Sequence, residues 1–302
     1  MDRQVYVLGE LLGPDDPQVR AIRQLGSVDA SAASALMRNL ALQRGIDPDA
    51  PPAFGFADRL DTGHLLLGRI RVGDILCQKT GLADKGRRPG HTAILGRSDS
   101  GKSFLTKHIA VQAIREGETV LVLARDREWR DILPMFPPEK LLYMEPGDLG
   151  INVLEVPRSA DGKPVMPPEE WVMNLKTVTR STLFLRDVAS NMFSDSLLDL
   201  YAKNNIANGG DYPCLSRLRD AVVNMPMKGK RLSEARDTLI NRLDMLIRFL
   251  GGLDVIRSRD LHKLFGHSVI LDMSGLEEIP CTFLFEFLTV LLRAVFPAED
   301  EQ

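Results

Sequence analysis

Between residues 16 and 45 the alternation of apolar and polar positions is helical: a short segment over 19–25, then a longer one that Ser27 or Asp29 can cap and Gly45 can close. Residues 32–42 form the packing face of the second. A proline-rich break at 47–52 follows, and residues 64–70 and 74–79 flank Arg71-Val72-Gly73 as a β-hairpin. From residue 91 the rhythm changes again: an apolar strand over 91–95, a glycine-rich turn, a helix reaching Gly117, and a second apolar strand over 119–124. Strand, turn, helix and strand in this order make a βαβ unit, whose crossover sets the two strands parallel. The expected class is therefore α/β.

Residues 167–260 are almost purely helical in pattern. In RLSEARDTLINRLDMLIRFLGG, Leu232, Ala235, Leu239, Leu243, Leu246 and Leu250 recur at spacings of three and four, while Arg236, Asn241, Asp244 and Arg248 point elsewhere. Gly251-Gly252 ends that helix. Strand character returns with SVILD at 268–272. The organisation expected is an N-terminal accessory region over 1–80, a core made of 81–160 and 261–302, and a helical insertion over 161–260.

Composition narrows the class rather than choosing it. At 302 residues and 44% hydrophobic content the chain can bury a large core, so disorder is excluded. A net charge of −3 gives no bulk attraction for nucleic acid or an anionic membrane, so any polyanion must be met by local patches. The three cysteines, Cys77, Cys214 and Cys281, are scattered and form no C-x-x-C pair, which argues against disulfides and a zinc site and fits a reducing cytoplasm. No stretch reaches the ~20 apolar residues that span a bilayer.

The chemistry is concentrated in GRSDSGKS, residues 96–103, which satisfies G-x-x-x-x-G-K-[ST] between an apolar run and a helix. Gly96 and Gly101 let backbone N–H groups crowd an anion, while Arg97, Ser98, Asp99 and Ser100 form the turn between them. Lys102 supplies a point charge for the β- and γ-phosphates of ATP, and the Ser103 hydroxyl a ligand for Mg²⁺. The helix start behind them adds unsatisfied amides and about half a positive charge. Asp99 is the odd member, a carboxylate in an anion loop, although Asp tolerates unusual backbone angles.

Hydrolysis needs, besides the cradle, an acid at a strand end to organise Mg²⁺ and a group to orient water. Two strand ends compete: VLVLARDREW, with Asp126 and Glu128, and SVILDMSGL, with Asp272. By pattern Asp272 is the better candidate, though Met273 follows it where a water-polarising glutamate is usual. The other reading has Asp272 capping a turn with Ser274-Gly275. For Glu128 a place near the γ-phosphate stands beside that of a solvated loop charge.

HTAILGRSDSGKS, VLVLARDREW, GDLGINVLEVP, the helical block with DYPCLSRLRDAV, and SVILDMSGLEEIPCTFLFEFLTVLLRAVF follow one another in the layout of HerA/FtsK-type ATPases. From about Gly63 onward the chain resembles the HerA branch and its relatives among conjugation and type IV secretion ATPases. The resemblance implies a RecA-like P-loop core with a parallel sheet, a helical insertion, a homo-hexameric ring, and ATP- and Mg²⁺-dependent movement of double-stranded DNA or another polymer, beside a nuclease or other effector. It also implies that the catalytic acidic pair lies on a strand after the helix at 282–296. Two positions depart from the family pattern, Ala124 in place of Asp and Asp99 in place of Gly; the Glu128-Trp129 pair conforms.

The stretch CTFLFEFLTVLLRAVF is apolar on nearly every face, so burial all round is expected, with covering strands supplied by a longer chain or a second piece. The fragment alone is expected to self-associate. The basic runs Lys85-Gly86-Arg87-Arg88 and Lys228-Gly229-Lys230-Arg231 are either solvated turns or phosphate contacts on DNA. His91 reads as a hydrogen-bonded structural residue, and Trp129 and Trp171 as packing residues. Two rivals to a DNA motor remain: a nucleotide-binding subunit that does not hydrolyse, and a secretion ATPase that moves protein.

Overall fold

The computed structural model describes residues 16–46, 65–72, 75–82, 92–226 and 228–296, together with Gly9, Leu12 and Pro48. The chain divides into two compact units, Met1–Gln112 and Ala113–Gln302.

The first unit opens with α1 (Pro17–Leu25) and α2 (Ala30–Gln43). Each begins at an aspartate whose carboxylate accepts orphan amides of the first turn: Asp16 from Gln18 at 2.8 Å, and Asp29 from Ser31 and Ala32 at 3.0 Å. Of the two caps offered by the sequence, Asp29 is the one used. Val19, Ala33, Met37, Leu40 and Ala41 bury against one another between the helices. The Arg44 guanidinium bonds Asp16 at 2.7 Å and holds that carboxyl below its usual range. The hairpin follows as β1 (Leu65–Val72) and β2 (Ile75–Leu82), antiparallel, with Leu65 opposite Leu82 and Val72 opposite Ile75. Next comes α3 (Lys102–Arg115). Its Gln112 amide accepts from the Leu66 N–H at 2.8 Å and donates to the Leu66 carbonyl at 2.9 Å, so one side chain satisfies both polar groups of a β1 residue.

The strand expected over 91–95 is not found. Residues 92–97 join no ladder, and Leu95 is 90% exposed; His91 lies outside the described residues. A strand needs a neighbour in register, and the strands described in its own unit, β1 and β2, pair with each other.

In the second unit a parallel sheet runs β3 (Leu121–Ala124), β5 (Ser268–Asp272), β4 (Leu141–Met144). The β5 strand is central: Val269 lies opposite both Leu121 and Leu142, and every residue of the strand is buried. A continuous apolar run such as Val269-Ile270-Leu271 suits a strand covered on both faces. The partner of β3 is thus β5, more than a hundred residues away, rather than the segment before the glycine-rich turn.

Between β4 and β5 lie α4 (Pro168–Thr182), α5 (Asp187–Lys203), α6 (Leu215–Val223), α7 (Lys230–Phe249) and the short α8 (Leu261–Phe265); α9 (Glu278–Val295) follows β5. The leucine stripe of α7 is buried at Leu239, Leu243 and Leu246, while Leu232 is 41% exposed. Trp171 on α4 is fully buried, meets Phe287 of α9 edge-on at 6.4 Å, and donates its indole N–H to the Val153 carbonyl at 3.1 Å. Asn152 is a second buried node: its amide donates to the Pro213 and Ile256 carbonyls at 3.0 Å, and its oxygen accepts from Leu154 at 2.9 Å. That one side chain ties together three loops that are distant in sequence.

Within this chain α9 is buried on one face and open on the other. Phe283, Leu284, Phe287, Leu288, Leu291 and Val295 face inward, but Thr282, Phe285, Thr289, Arg293 and Phe296 form an outer stripe, with Phe285 52% exposed. The helix period alone decides which phenylalanine matters. Phe287→Ala should destabilise the protein by about 3–5 kcal/mol, whereas Phe285→Ala should stay within about 0.5 kcal/mol. Urea unfolding followed by circular dichroism measures both, and equal losses would contradict this placement.

Candidate functional site: a phosphate cradle and a buried carboxylate

The first intrahelical bond of α3 runs from the Leu105 N–H to the Gly101 carbonyl at 2.9 Å. The amides of Lys102, Ser103 and Phe104 therefore have no acceptor within the helix, and they carry the positive end of its dipole. Ahead of them the loop turns through left-handed backbone at Asp99 (φ 58°) and Gly101 (φ 84°). At Gly101 the surrounding space is open, so the angle itself selects glycine. At Gly96 the reason is different: a Cβ there would collide with the Ser100 hydroxyl. Lys102 curls back and donates to the Arg97 carbonyl at 2.5 Å, which holds the ammonium over the loop by one replaceable bond. Residues 96–101 are exposed, as is Ser103, whose hydroxyl stands at the helix start.

These features fit a phosphate chain. Two left-handed residues turn the backbone, amides with no acceptor among the described residues stand at a helix start, and an ammonium hangs over them; together they form a cradle for an anion. Gly101→Ala keeps the space but forces a Cβ into left-handed backbone, at a cost of roughly 1–2 kcal/mol. It should weaken anion binding and lower the melting temperature by about 2–8 °C, which titration with inorganic triphosphate and calorimetry can read.

The acids of the sequence reading lie in the second unit. Asp126 caps a 3₁₀ segment, Arg127–Met135, by accepting the Glu128 N–H at 3.1 Å, and Glu128 itself is exposed. Asp272 is placed very differently. Ending β5 and only 5% exposed, it accepts the Ser274 N–H at 2.9 Å on one oxygen. On the other it accepts the Tyr143 hydroxyl and, at 3.2 Å, the Arg130 guanidinium. Arg130 also donates to the Tyr143 oxygen at 2.6 Å and stacks over that ring at 4.8 Å. In this geometry Asp272 is the pin that joins β5, β4 and the segment carrying Glu128, and the turn with Ser274 is the one that the second sequence reading described. Among the described residues no three His, Cys, Asp or Glu side chains converge on a metal position.

Burial alone would push the Asp272 carboxyl up, but hydrogen bonds from Ser274 and Tyr143 and the charge of Arg130 outweigh it and hold the group at about 2. Burial and the bond to Asp272 push the Tyr143 phenol up, so it stays a donor. A carboxyl lowered on folding stabilises the protein fully above pH ~4, and the gain, about 2 kcal/mol, is lost as pH falls through the folded value. Tyr143→Phe removes one bond and should shift acid unfolding to higher pH; an acid titration identical to wild type would contradict the role given to this bond.

Sequence reasoning missed Arg130, Tyr143 and Asn152. Only the polar tyrosine within the apolar run Leu141-Leu142-Tyr143-Met144 signals a buried partner.

A glycine-rich cradle at a helix start and a parallel sheet flanked by helices define a P-loop ATPase fold. Residues 89–292 match the family model described as "Helicase HerA, central domain", and the chain belongs to that family. Its fold is also similar to VirB4 of Thermoanaerobacter pseudethanolicus, with a TM-score of 0.53 at 17% identity, over 77% of this chain and 65% of that one. No curated protein matches the chain.

Proposed function

We propose that this chain is the ATP-binding subunit of a ring-shaped motor that couples hydrolysis to the movement of double-stranded DNA. The observation carrying the proposal is the cradle at residues 96–103, with Lys102 bonded across its mouth at 2.5 Å. In this reading Lys102 and the amides of α3 hold the β- and γ-phosphates of ATP, Ser103 ligates Mg²⁺, and the bound nucleotide supplies the phosphoanhydride to be cleaved. Membership of a P-loop ATPase family supports the use of nucleotide, and usually of Mg²⁺. Glu128 is kept as a candidate near the γ-phosphate. Asp272 is a weaker candidate for Mg²⁺, because a metal there would have to displace Arg130 from a carboxylate whose two oxygens are both engaged. A homo-hexamer working in the cytoplasm beside a nuclease or other effector completes the proposal. Among the described residues no helix is long and apolar enough to cross a membrane.

The likeness of fold to VirB4 supports a second reading, an ATPase of conjugation or type IV secretion that moves protein or DNA. A subunit that binds ATP without hydrolysing it is a third; the engagement of Asp272 in hydrogen bonds speaks for it.

Lys102→Ala removes a charge-assisted contact and should weaken Mg·ATP binding about 10- to 100-fold, measured by isothermal calorimetry. Turnover that rises with duplex DNA, and whose stimulation falls steeply with salt, would support the DNA motor. Tight ATP binding with no turnover under any polymer would favour the third reading. Equal affinity in wild type and variant would remove the basis of all three.

A further inference from the structure

The corner between α4 and α5 carries a residue that the fold does not use. Leu183 closes α4, its N–H bonded to the Thr179 carbonyl at 3.0 Å, and the next residue, Phe184, has left-handed backbone with φ 54°. The position just past a helix end is where glycine is usual, because a Cβ is strained there. Leu183 and Leu185 are 0% and 2% exposed, and by inserting on either side they turn Phe184 outward, leaving it 70% exposed. A phenylalanine here is unfavourable twice, through its backbone angle and through its wetted ring. Glycine would serve the fold better.

The ring stands in an open groove of about 620 Å³ between the α4–α5 corner and the start of α7. Three arginines line the groove with it, Arg180, Arg186 and Arg231, together with the carboxylates of Asp187 and Glu234. Arg180 is paired with Asp187 at 2.8 Å, and Glu234 lies 3.8 Å from Lys230. Among the described residues no carboxylate is ion-paired with Arg186 or Arg231. Exposed Lys228, in the turn before α7, adds to the positive charge.

We propose that this groove binds unpaired nucleic acid, with a base stacked on Phe184 and backbone phosphates on Arg180, Arg186 and Arg231. An aromatic face accepts any base, and cations beside it follow the phosphates, which is how sequence-tolerant single-strand sites work. A duplex keeps its bases stacked inside and has nothing to offer the ring. An acidic peptide would use the arginines but leave the phenylalanine idle. The inference does not rest on ATP binding: every residue it uses lies in the helical block.

The full chain is titrated against a fluorescein-labelled oligothymidylate, with anisotropy as the readout. Wild type should bind, the logarithm of affinity falling with that of salt at a slope of about two for three phosphate contacts. Phe184→Gly should lower affinity about tenfold while leaving the melting temperature unchanged or higher, because glycine relieves the strained angle. Phe184→Trp should restore binding, and Arg186→Glu combined with Arg231→Glu should abolish it. The proposal is overturned if wild type does not bind, or if Phe184→Gly binds as wild type does. It is overturned equally if that variant loses melting temperature, if a duplex of the same length suffers the same loss, or if a polyglutamate peptide competes as well as the oligonucleotide.

Discussion

A peptide group taken out of water must find a hydrogen-bond partner, and most of this molecule is arranged around that requirement. The central strand β5 meets it by pairing on both sides, which commits β3 and β4 to flank it in parallel. Where a ladder ends, side chains complete the account: Asn152 serves three loops, and Gln112 serves both polar groups of Leu66. At one helix start the open amides stand beside left-handed backbone and a lysine ammonium. That place is the start of α3, and it is where the chain can hold an anion. In the proposed function these open donors are the ones a ligand would meet.

The same economy explains the two fates of acidic residues. Asp16 and Asp29 sit at helix starts and cap them. Asp272 is buried and cannot stay charged unless paired, so it draws in Tyr143, Arg130 and the Ser274 amide. The pairing also fixes the segment that carries Glu128, since Arg130 belongs to it. An acid that looks catalytic in sequence thus acts in the structure on the backbone that presents another acid.

Much of the fold can be read from local patterns. A cap at Ser27 or Asp29 announces α2, the three-and-four spacing of leucines marks α7, and the apolar run at 269–271 marks a buried strand. The cradle is legible for the same reason, because its eight residues are contiguous and each is constrained by its own backbone. What escapes the sequence is partnership over distance. Arg130 and Asp272 are 142 positions apart, and Asn152 and Ile256 are 104 apart, with no periodicity to connect them. The run before the cradle shows the converse: Thr92-Ala93-Ile94-Leu95 has the composition of a strand, yet composition does not supply the neighbour that a strand requires.

In the proposed function the open amides at the start of α3 are the binding groups. Hydrogen exchange resolved to residues 96–105, with and without Mg·ATP, tests it most directly. The amides of Lys102, Ser103 and Phe104 should slow markedly with nucleotide, and in Lys102→Ala the same protection should need about 10- to 100-fold more nucleotide. Protection elsewhere in the chain with none at these three amides would contradict the account.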